Sequence, residues 1–496
     1  MLNERERQFL QQLEETIYSN PFSIDPALLG ARFPGVSPGI SPGREGLDSG
    51  AHYFSVIAAP LERMLAGLAE RGITRLQQLS GEEREWLKHG LLFRSYHNCT
   101  EALDRHIEQQ LAQPDRPLPV PFAKAVVGEL EQCGFSAREA LRYFGFFFQL
   151  RRAYYFIDRA LVGRTASMQA LRRGLWNLLF TEDARLYDRY LWDRMEDFST
   201  LLLGETGTGK GAAAAAIGRS GYIPYDPQGG CFRSAFTQAF IATNLSQFTE
   251  NLIESELFGH RKGAFTGAVD THTGLLGRCS RYGSLFLDEI GDVSVTVQIK
   301  LLKVLQERRF SPVGSHEEKR FSGRLVAATN RSLPELRQSG RFRDDFYYRV
   351  SSQVLHMPSL RQRLAESPEE LVLMVRLLLE RMLGGPVEQV LDQVMGIIKR
   401  DLPADYPWPG NVRELEQVIR RCLLSRQLLP EEFAWESRAD DGEWSVGQAP
   451  TARQLLSRYC EQLFRRYGTY EAVARHSGLD RRTVKKYLEM TTAESG

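Results

Sequence analysis

The sequence of 496 residues lacks the features that define several protein classes. Its six cysteines are scattered without a C-x-x-C pair, which argues against a disulfide framework or a metal knuckle and favours a reducing compartment. The most apolar long stretch, 143–157, contains Arg151 and Arg152 and is too short and too charged to span a bilayer. The N-terminus has no apolar core of a signal peptide. We therefore expect a cytoplasmic protein without membrane contact.

The chain also has no excess of charge of either sign. It contains 63 Lys and Arg against 62 Asp and Glu, a net charge of +1. Any contact with nucleic acid must therefore come from a local basic patch. Apolar residues make up 42% and charged residues 25%, which is ordinary for a soluble globular protein. At roughly 150 residues per domain, the length corresponds to about three domains.

Changes in sequence pattern divide the chain into five parts. We predict an all-α N-terminal domain over 1–158, an α/β domain over 159–350, a helical domain over 351–428, a linker over 429–450 and an all-α C-terminal domain over 451–496. Four short apolar runs lie between helical stretches in the second part: 198–203, 239–243, 284–287 and 325–329. This alternation is typical of a parallel sheet with crossover helices. From 346 to 425 the pattern returns to helix.

The N-terminal part carries no motif that identifies a signal. The stretch 137–157 is densely aromatic, and two interpretations stay open: a buried packing helix, or an aromatic ligand pocket or signalling helix. There is no pattern of a phosphorylated receiver domain. The histidines have no ligand-spaced partners: His52, His89, His97 and His106. We expect a regulatory domain that senses a protein or a small ligand.

A phosphate-binding loop is the clearest motif. The string Gly204-Glu-Thr-Gly-Thr-Gly-Lys210 matches G-x-x-x-x-G-K, follows an apolar run and precedes an alanine-rich helix. Glycines let backbone N–H groups close around phosphate oxygens, and the helix N-terminus adds positive potential. The predicted ATP-binding residues of this loop are Gly204, Glu205, Thr206, Gly207, Thr208, Gly209, Lys210 and Gly211. Because Gly211 replaces the usual Ser or Thr, a hydroxyl that helps to hold Mg²⁺ is missing.

Acidic residues follow the third apolar run and complete a predicted nucleotide site. Asp288 and Glu289 come at the carboxyl end of the predicted strand, beside the phosphate loop. Asp288 would hold Mg²⁺, and Glu289 would act as general base on the attacking water. Asn330 ends another predicted strand and would orient the water, although alone such an Asn is more often a turn residue. ATP and Mg²⁺ are therefore the predicted cofactors.

Longer strings resemble the signatures of bacterial sigma-54-dependent transcription activators, the enhancer-binding proteins of the AAA+ class. These strings are Glu254-Ser-Glu-Leu-Phe-Gly-His-Arg-Lys-Gly-Ala-Phe-Thr-Gly-Ala268, Leu285-Phe-Leu-Asp-Glu-Ile-Gly-Asp292, Arg341-Phe-Arg-Asp-Asp-Phe-Tyr-Tyr-Arg-Val350 and Tyr406-Pro-Trp-Pro-Gly-Asn-Val-Arg-Glu-Leu415. The resemblance covers about 160–430 and the C-terminal module. It implies an α/β AAA+ phosphate-loop ATPase with a helical lid, which forms a hexameric ring in the family.

The resemblance also implies roles for individual residues. A pore-facing loop that contacts sigma-54 would consist of Gly263, Ala264, Phe265, Thr266, Gly267 and Ala268, with the Phe-Thr pair at its tip. Glycines beside an exposed Phe-Thr pair suit a mobile loop with an apolar tip, whereas the alternative is a buried turn. Arg343 and Arg349 would reach the γ-phosphate bound by a neighbouring subunit, or else form ordinary surface ion pairs. Arg413 would sense nucleotide from the lid, and Asn244 would restrain the catalytic Glu289.

Four departures from the family pattern leave the hydrolysis rate open. Gly211 stands where family members usually carry Glu, and about 20 extra residues are inserted over 179–198. An irregular stretch over 222–233 lengthens the path to Asn244, and the residues after Asn244 replace a run of small residues.

The C-terminal end has the pattern of a helix-turn-helix. In 469–489 a short helix precedes the turn Ser477-Gly478-Leu479, and Asp480 would cap a second helix whose Val484 and Leu488 face inward. The predicted DNA contacts are Arg481, Arg482, Thr483, Lys485 and Lys486. Residues 451–496 contain nine Lys and Arg and five Asp and Glu, a local charge of +4. The module resembles the Fis-type domain of the same family, with the preceding segment as a packing or dimer helix.

The sequence thus predicts an activator that binds upstream double-stranded DNA and uses ATP to remodel sigma-54 RNA polymerase holoenzyme. Two alternatives stay open. One is a DNA-binding repressor whose AAA+ domain is a nucleotide-gated oligomerisation switch, which the departure at Gly211 motivates. The other is an AAA+ machine that acts on a different protein.

Overall fold

A computed structural model describes residues 1–24, 33, 49–332, 335–336, 340, 342–428, 456–457, 459–460, 463–464 and 468–493, without the side chains of 49–56, 251 and 489–493. The chain forms two compact units, 1–428 and 429–496. The expected linker over 429–450 lies outside the described residues. Among the described residues, no helix combines the length and the apolar character needed to cross a bilayer.

The first unit is built on a parallel sheet of five strands in the order β4-β5-β8-β1-β9. The strands of this unit are β1 (Thr200–Leu203), β2 (Tyr225–Asp226), β3 (Cys231–Phe232), β4 (Phe240–Asn244), β5 (Ser284–Asp288), β6 (Arg309–Phe310), β7 (Lys319–Arg320), β8 (Arg324–Thr329) and β9 (Gln353–His356). The short pairs β2–β3 and β6–β7 form separate antiparallel hairpins. The four predicted apolar runs thus become β1, β4, β5 and β8 of one sheet.

The prediction of helix throughout 346–425 is wrong at β9. Residues Gln353–His356 pair with β1 at the edge of the sheet. Gln353 and His356 are exposed, and the two residues between them are only partly buried. Four residues with this pattern are too few to produce a period of two, so the strand is determined by its pairing with β1.

Helices cover both faces of the sheet and form the remainder of the unit. They are α1 (Glu4–Ile17), α2 (Ser49–Glu70), α3 (Gly81–Ala112), α4 (Ala123–Gln132), α5 (Ala137–Ala160), α6 (Ala166–Phe180), α7 (Lys210–Gly218), α8 (Glu250–Phe258), α9 (Leu275–Arg278), α10 (Val295–Glu307), α11 (Asp344–Val350), α12 (Leu360–Glu366), α13 (Glu369–Leu383), α14 (Glu388–Asp401) and α15 (Asn411–Ser425). Alternate strand residues face two cores. Leu202, Phe286 and Val326 join one core, and their strand neighbours join the other.

The aromatic helix α5 packs one face against the α/β part, as the first of the two interpretations of its sequence expects. The Phe148 ring stacks on Phe232 of β3 with centroids 3.9 Å apart, and Phe144 also stacks on Phe232 at 5.6 Å. Gly145 allows Tyr222 to lie close, because a Cβ at this position would be 2.9 Å from the tyrosine oxygen. Helix α5 thus packs against the sheet domain through Phe144 and Phe148, and its core is continuous with that of the sheet.

Helices α12 to α15 follow the sheet. A buried ion pair joins α12 and α13: Arg363 Nε donates to Glu370 Oε1 at 3.0 Å. The other carboxylate oxygen of Glu370 accepts from the Arg164 backbone N–H at 3.0 Å. The pair is thus hydrogen-bonded on several sides, which a buried charge pair requires.

The second unit contains two described helices, α16 (Tyr470–Ser477) and α17 (Arg481–Ala493). Cys460, Val473 and Val484 form its buried core. Gly478 ends α16 with a φ of 71°, and the Asp480 carboxylate accepts from the backbone N–H groups of Arg482 and Thr483 at 2.9 and 3.0 Å. The predicted turn and N-cap are therefore both present.

Candidate functional site

The phosphate loop lies between β1 and α7, as its motif predicts. Strand β1 is fully buried between β8 and β9, so the loop leaves the middle of the parallel sheet at its carboxyl edge. Gly207 and Gly209 have φ values of 80° and 95°, a backbone region that glycine adopts without strain. The first turn of α7 begins at Lys210, so the helix N-terminus points its backbone donors toward the loop.

The Lys210 ammonium is buried inside this loop. Its Nζ donates to the carbonyl oxygens of Gly204 and Glu205 at 2.7 and 3.1 Å, and the residue is 7% exposed. Burial lowers the pKa of Lys210, while the charges of Glu289 and Asp288 oppose this shift. The lysine is thus held at the loop within the electrostatic reach of both predicted acids.

Asp288 and Glu289 lie at the carboxyl end of β5, next to the loop. Glu289 has a φ of 55°, and its backbone N–H donates to Asp288 Oδ1 at 3.0 Å. Glu289 Oε2 accepts from the backbone N–H of Asn330 at 3.3 Å. Burial raises the pKa of Glu289. The charge of Lys210 opposes this rise, and the charge of Asp288 adds to it. A half-buried carboxylate with a raised pKa is suited to accept a proton from water.

Asn330 and Asn244 occupy different positions relative to this pair. Asn330 Nδ2 lies 3.4 Å from Thr206 Oγ1, so its side chain extends from the end of β8 to the phosphate loop. Asn244 pairs in register with Asp288 across β4 and β5, but its Oδ1 accepts from the backbone N–H and the hydroxyl of Ser246 at 2.9 and 2.7 Å. Asn244 therefore caps the following turn, and the restraint on Glu289 stays a prediction.

Asn411 contacts the phosphate loop from α15, which the sequence analysis missed. Its side chain is fully buried; Nδ2 donates to the Thr206 carbonyl at 3.0 Å and to Glu205 Oε2 at 3.1 Å, and Oδ1 accepts from the Leu360 N–H at 2.7 Å. The residue has a φ of 52°. The available signal in the sequence was the Pro-Gly-Asn string, because this string favours a turn and asparagine tolerates the left-handed region there.

One more residue from each of helices α12 and α15 lies near the loop. Arg361 donates to Glu205 Oε2 at 2.9 Å, and although burial opposes ionisation, Arg361 and Asn411 lower the pKa of Glu205. Arg413 is exposed in the first turn of α15, and its charge lowers the pKa of Lys210. The structure therefore brings Arg413 to the loop, as the sequence predicts.

The two predicted trans-acting arginines differ in how they are held. Arg343 is exposed and pairs with Asp345 at the start of its own helix, with Nε–Oδ1 at 3.0 Å. Arg349 donates Nε and Nη2 to the Leu305 carbonyl at 3.1 and 2.5 Å, at the end of α10. Arg343 is thus at the surface, whereas Arg349 is fixed against the domain.

The segment 263–268 forms an exposed loop, not a buried turn. The backbone N–H of Gly263 donates to the Ala268 carbonyl at 2.8 Å, which closes the loop at its base. Phe265 is 41% exposed, with its ring edge-on to His260 at 4.9 Å. Thr266 and Gly267 are exposed, and Gly267 has a φ of 101°. The loop thus presents an aromatic ring and a hydroxyl to the solvent.

The predicted DNA-contacting residues lie together on α17. Arg481, Arg482, Lys485 and Lys486 are exposed, while Thr483 is partly buried. The Thr483 hydroxyl donates to Asp480 Oδ2 at 2.5 Å, so this residue also belongs to the N-cap.

The segment of the chain that contains this site is similar to known proteins. Residues 188–356 match the family model of the sigma-54 interaction domain. Similar curated proteins include the DNA-binding transcriptional regulator NtrC of Rhizobium meliloti, 34% identical over 316 residues that cover 62% of this chain and 57% of that protein. The Nif-specific regulatory protein of Azotobacter vinelandii is 37% identical over 273 residues, 55% and 46% of the two chains. The transcriptional regulatory protein GlrR of Escherichia coli is 39% identical over 239 residues, 48% and 50%.

The chain spans about half the length of the curated relatives it matches. A crystal structure of NtrX from Brucella abortus in complex with ATP aligns with a TM-score of 0.40 and 19% identity, and covers 78% of this chain and 86% of that one. The matched segment contains the phosphate loop, the acidic pair and the exposed loop of 263–268. Over residues 188–356 the chain is therefore similar to the sigma-54 interaction domain.

Proposed function

We propose that the chain is a transcription activator that binds upstream double-stranded DNA and uses ATP hydrolysis to remodel sigma-54 RNA polymerase holoenzyme. One observation carries the proposal: an exposed Phe265-Thr266 tip and a buried lysine-carboxylate site occur in one sigma-54 interaction domain. A nucleotide site that changes its contacts with occupancy can move such a loop between two positions. The three relatives, all named as regulators, support this proposal.

The residues present fit ATP and Mg²⁺. A Cβ on Gly207 would lie 2.1 Å from the Gly410 carbonyl oxygen, so only glycine allows α15 to cover the loop this closely. Backbone donors and Lys210 would hold the phosphates, Asp288 would hold the metal ion, and Glu289 would accept the proton of the attacking water. The ion supplies neutralisation of charge on the transferred phosphoryl group.

The exposed position of Arg343 supports the proposed assembly as a ring. Its guanidinium is exposed, and its partner Asp345 is only two residues away, so it is positioned to contact a neighbouring subunit. A ring of such subunits, hexameric in the family, would place each arginine at the next nucleotide site. The basic face of α17 would bind DNA as a dimer.

The test is substitution at the tip of the exposed loop. Thr266→Ala removes one hydroxyl outside the nucleotide site, so ATP hydrolysis is expected to persist while open-complex formation at a sigma-54 promoter is lost. Thr74→Ala, at another exposed threonine, is the matched control and retains both activities. Transcription by Thr266→Ala at the wild-type level would show that the loop is wrongly assigned.

The same assays separate the alternatives. Gly211 is exposed and contributes no hydroxyl, and this feature motivates the alternative of a nucleotide-gated repressor. Tight ATP binding without turnover above background would support that repressor. ATP turnover without binding of sigma-54 in a pull-down would instead identify an AAA+ machine that acts on another protein.

A further inference from the structure

The helices α1, α3, α5 and α6 enclose a pocket that the proposed function does not use. Its volume is about 150 Å³, and aromatic side chains form much of its wall. Rings that line it come from different helices: Phe93 and Tyr96 of α3, Phe147 and Tyr154 of α5, and Trp176 of α6. A dry apolar cavity of about this volume accommodates one benzene-sized molecule. The size therefore limits a ligand to a single ring or a compound of similar bulk.

One buried polar atom of the pocket wall is unsatisfied. His89 lines the pocket, its side chain is 10% exposed, and its Nδ1 has no hydrogen-bond partner among the described residues. The nearest carboxylate oxygen, Glu14 Oε1, lies 3.6 Å away, beyond hydrogen-bonding distance. Burial, reinforced by the charge of Lys88, lowers the pKa of His89 to about 4, so the imidazole is neutral near pH 7. Such a nitrogen is satisfied by a ligand with one hydrogen-bonding group.

The charged residues around the pocket are already neutralised by each other. The ion pairs are Arg151–Asp104, Arg142–Asp188, Lys88–Glu85 and Arg185–Glu14, with shortest distances of 2.5, 2.9, 3.2 and 3.7 Å. An ionised ligand would therefore lose its hydration without gaining an unpaired countercharge. The pocket chemistry selects an uncharged ligand.

A neighbouring cleft provides the entry route. The cleft has a volume of about 1450 Å³ and lies between the helical N-terminal part and residues 183–196. Tyr18, His89, Tyr143 and Asp188 line both the cleft and the pocket. Because the cleft and the pocket share this wall, the proposed route of a small molecule into the pocket runs from the cleft past His89.

We propose that this pocket binds a small, uncharged compound with one aromatic ring and one hydrogen-bonding group that contacts His89. Binding at this site is independent of the proposed transcriptional function and is tested without it. Phenol and toluene are suitable probes because they match in size and differ in the hydroxyl group, and benzoate tests the effect of charge.

Isothermal titration calorimetry of the full chain measures binding directly. We expect saturable binding of phenol and toluene, and benzoate binding at least about ten-fold weaker than phenol. Ala184 lines the pocket and is buried, so Ala184→Leu fills part of the cavity and should abolish binding of both neutral probes. Ala160→Leu, at the exposed end of α5, is the control and should bind them normally.

A second variant tests the hydrogen bond. His89→Phe keeps an aromatic ring at this position but removes the imidazole nitrogens. Phenol affinity should therefore fall by roughly 3- to 10-fold while toluene affinity is retained. Absence of saturable binding of either neutral probe to the wild type would overturn the proposal. So would unchanged binding to Ala184→Leu, or an equal loss of phenol and toluene in His89→Phe.

Discussion

The contact of Asn411 with the phosphate loop is the most direct test of how the helices after the sheet are held. The side chain is fully buried and makes hydrogen bonds to the Leu360 N–H, the Thr206 carbonyl and the Glu205 carboxylate, with a longer one to the Pro409 carbonyl at 3.5 Å. Asn411→Ala removes these hydrogen bonds and leaves the Leu360 N–H without its acceptor. Each buried group left unsatisfied costs about 1–3 kcal/mol, and a non-glycine residue without polar side-chain contacts adds roughly 1 kcal/mol of strain at a φ of 52°.

We therefore expect Asn411→Ala to lower the free energy of the first urea-induced unfolding transition by about 3–5 kcal/mol. Asn98→Ala, at an exposed position of α3, is the matched control and should change it by less than about 0.5 kcal/mol. Combination with Glu205→Gln isolates one hydrogen bond, because residues in contact show coupling energies of about 0.5–3 kcal/mol. A loss below about 1 kcal/mol for Asn411→Ala, with no coupling, would show that these bonds do not form in solution.

Three further predictions concern separate parts of the chain. Lowering the pH from 7 to 5 should reduce the free energy of unfolding by about 2 kcal/mol for each of His89 and His106, because burial lowers both pKa values to about 4 and the unfolded chain is protonated first. Urea unfolding at both pH values should show a smaller loss for the double variant His89→Phe/His106→Phe than for the wild type, and an equal loss would contradict this. Arg349→Ala should cost about 1–3 kcal/mol of stability and Arg343→Ala clearly less, since only the Arg349 side chain makes hydrogen bonds to a distant carbonyl; equal losses in urea unfolding would be inconsistent with the structure. Arg482→Ala should reduce the salt dependence of DNA affinity by about one unit of log–log slope, measured by fluorescence anisotropy, and an unchanged slope would remove this residue from the interface.

The sequence predicted the parts of the site that depend on local pattern. The phosphate loop consists of consecutive residues, and the acids Asp288 and Glu289 directly follow an apolar strand. Because parallel strands end at the same edge of a sheet, the position of each motif at a strand end was enough to bring them together. The exposed loop at Phe265 was expected from the family resemblance and from the glycines that flank the Phe-Thr pair, and in the structure both glycines adopt positive φ.

Contacts between distant segments could not be predicted in the same way. Asn411 lies 206 residues after Glu205, and nothing in a Pro-Gly-Asn turn specifies which carboxylate it will meet. Strand β9 was missed because four residues at a sheet edge carry too little periodicity. The stretches 179–198 and 222–233 were recognised only as departures from a family pattern, while their packing partner lies in α5. Tyr187 donates to Gln149 Oε1 at 2.8 Å, and Phe232 stacks on Phe148.

Packing against helix α5 explains why the two irregular stretches, 179–198 and 222–233, occur in the same chain. The backbone after α7 presents three carbonyl groups to α5: Arg152 donates to those of Arg219 and Gly221 at 2.5 and 2.7 Å, and Gln149 donates to that of Ser220 at 3.1 Å. Arg152 is fully buried, and this burial lowers its pKa to about 9. A buried guanidinium is tolerated here because it satisfies carbonyls at a helix C-terminus, where positive charge is favoured. A cut at residue 158 would pass through α5 and through this core, so the helical N-terminal part is integral to the stability of the helix that carries Lys210.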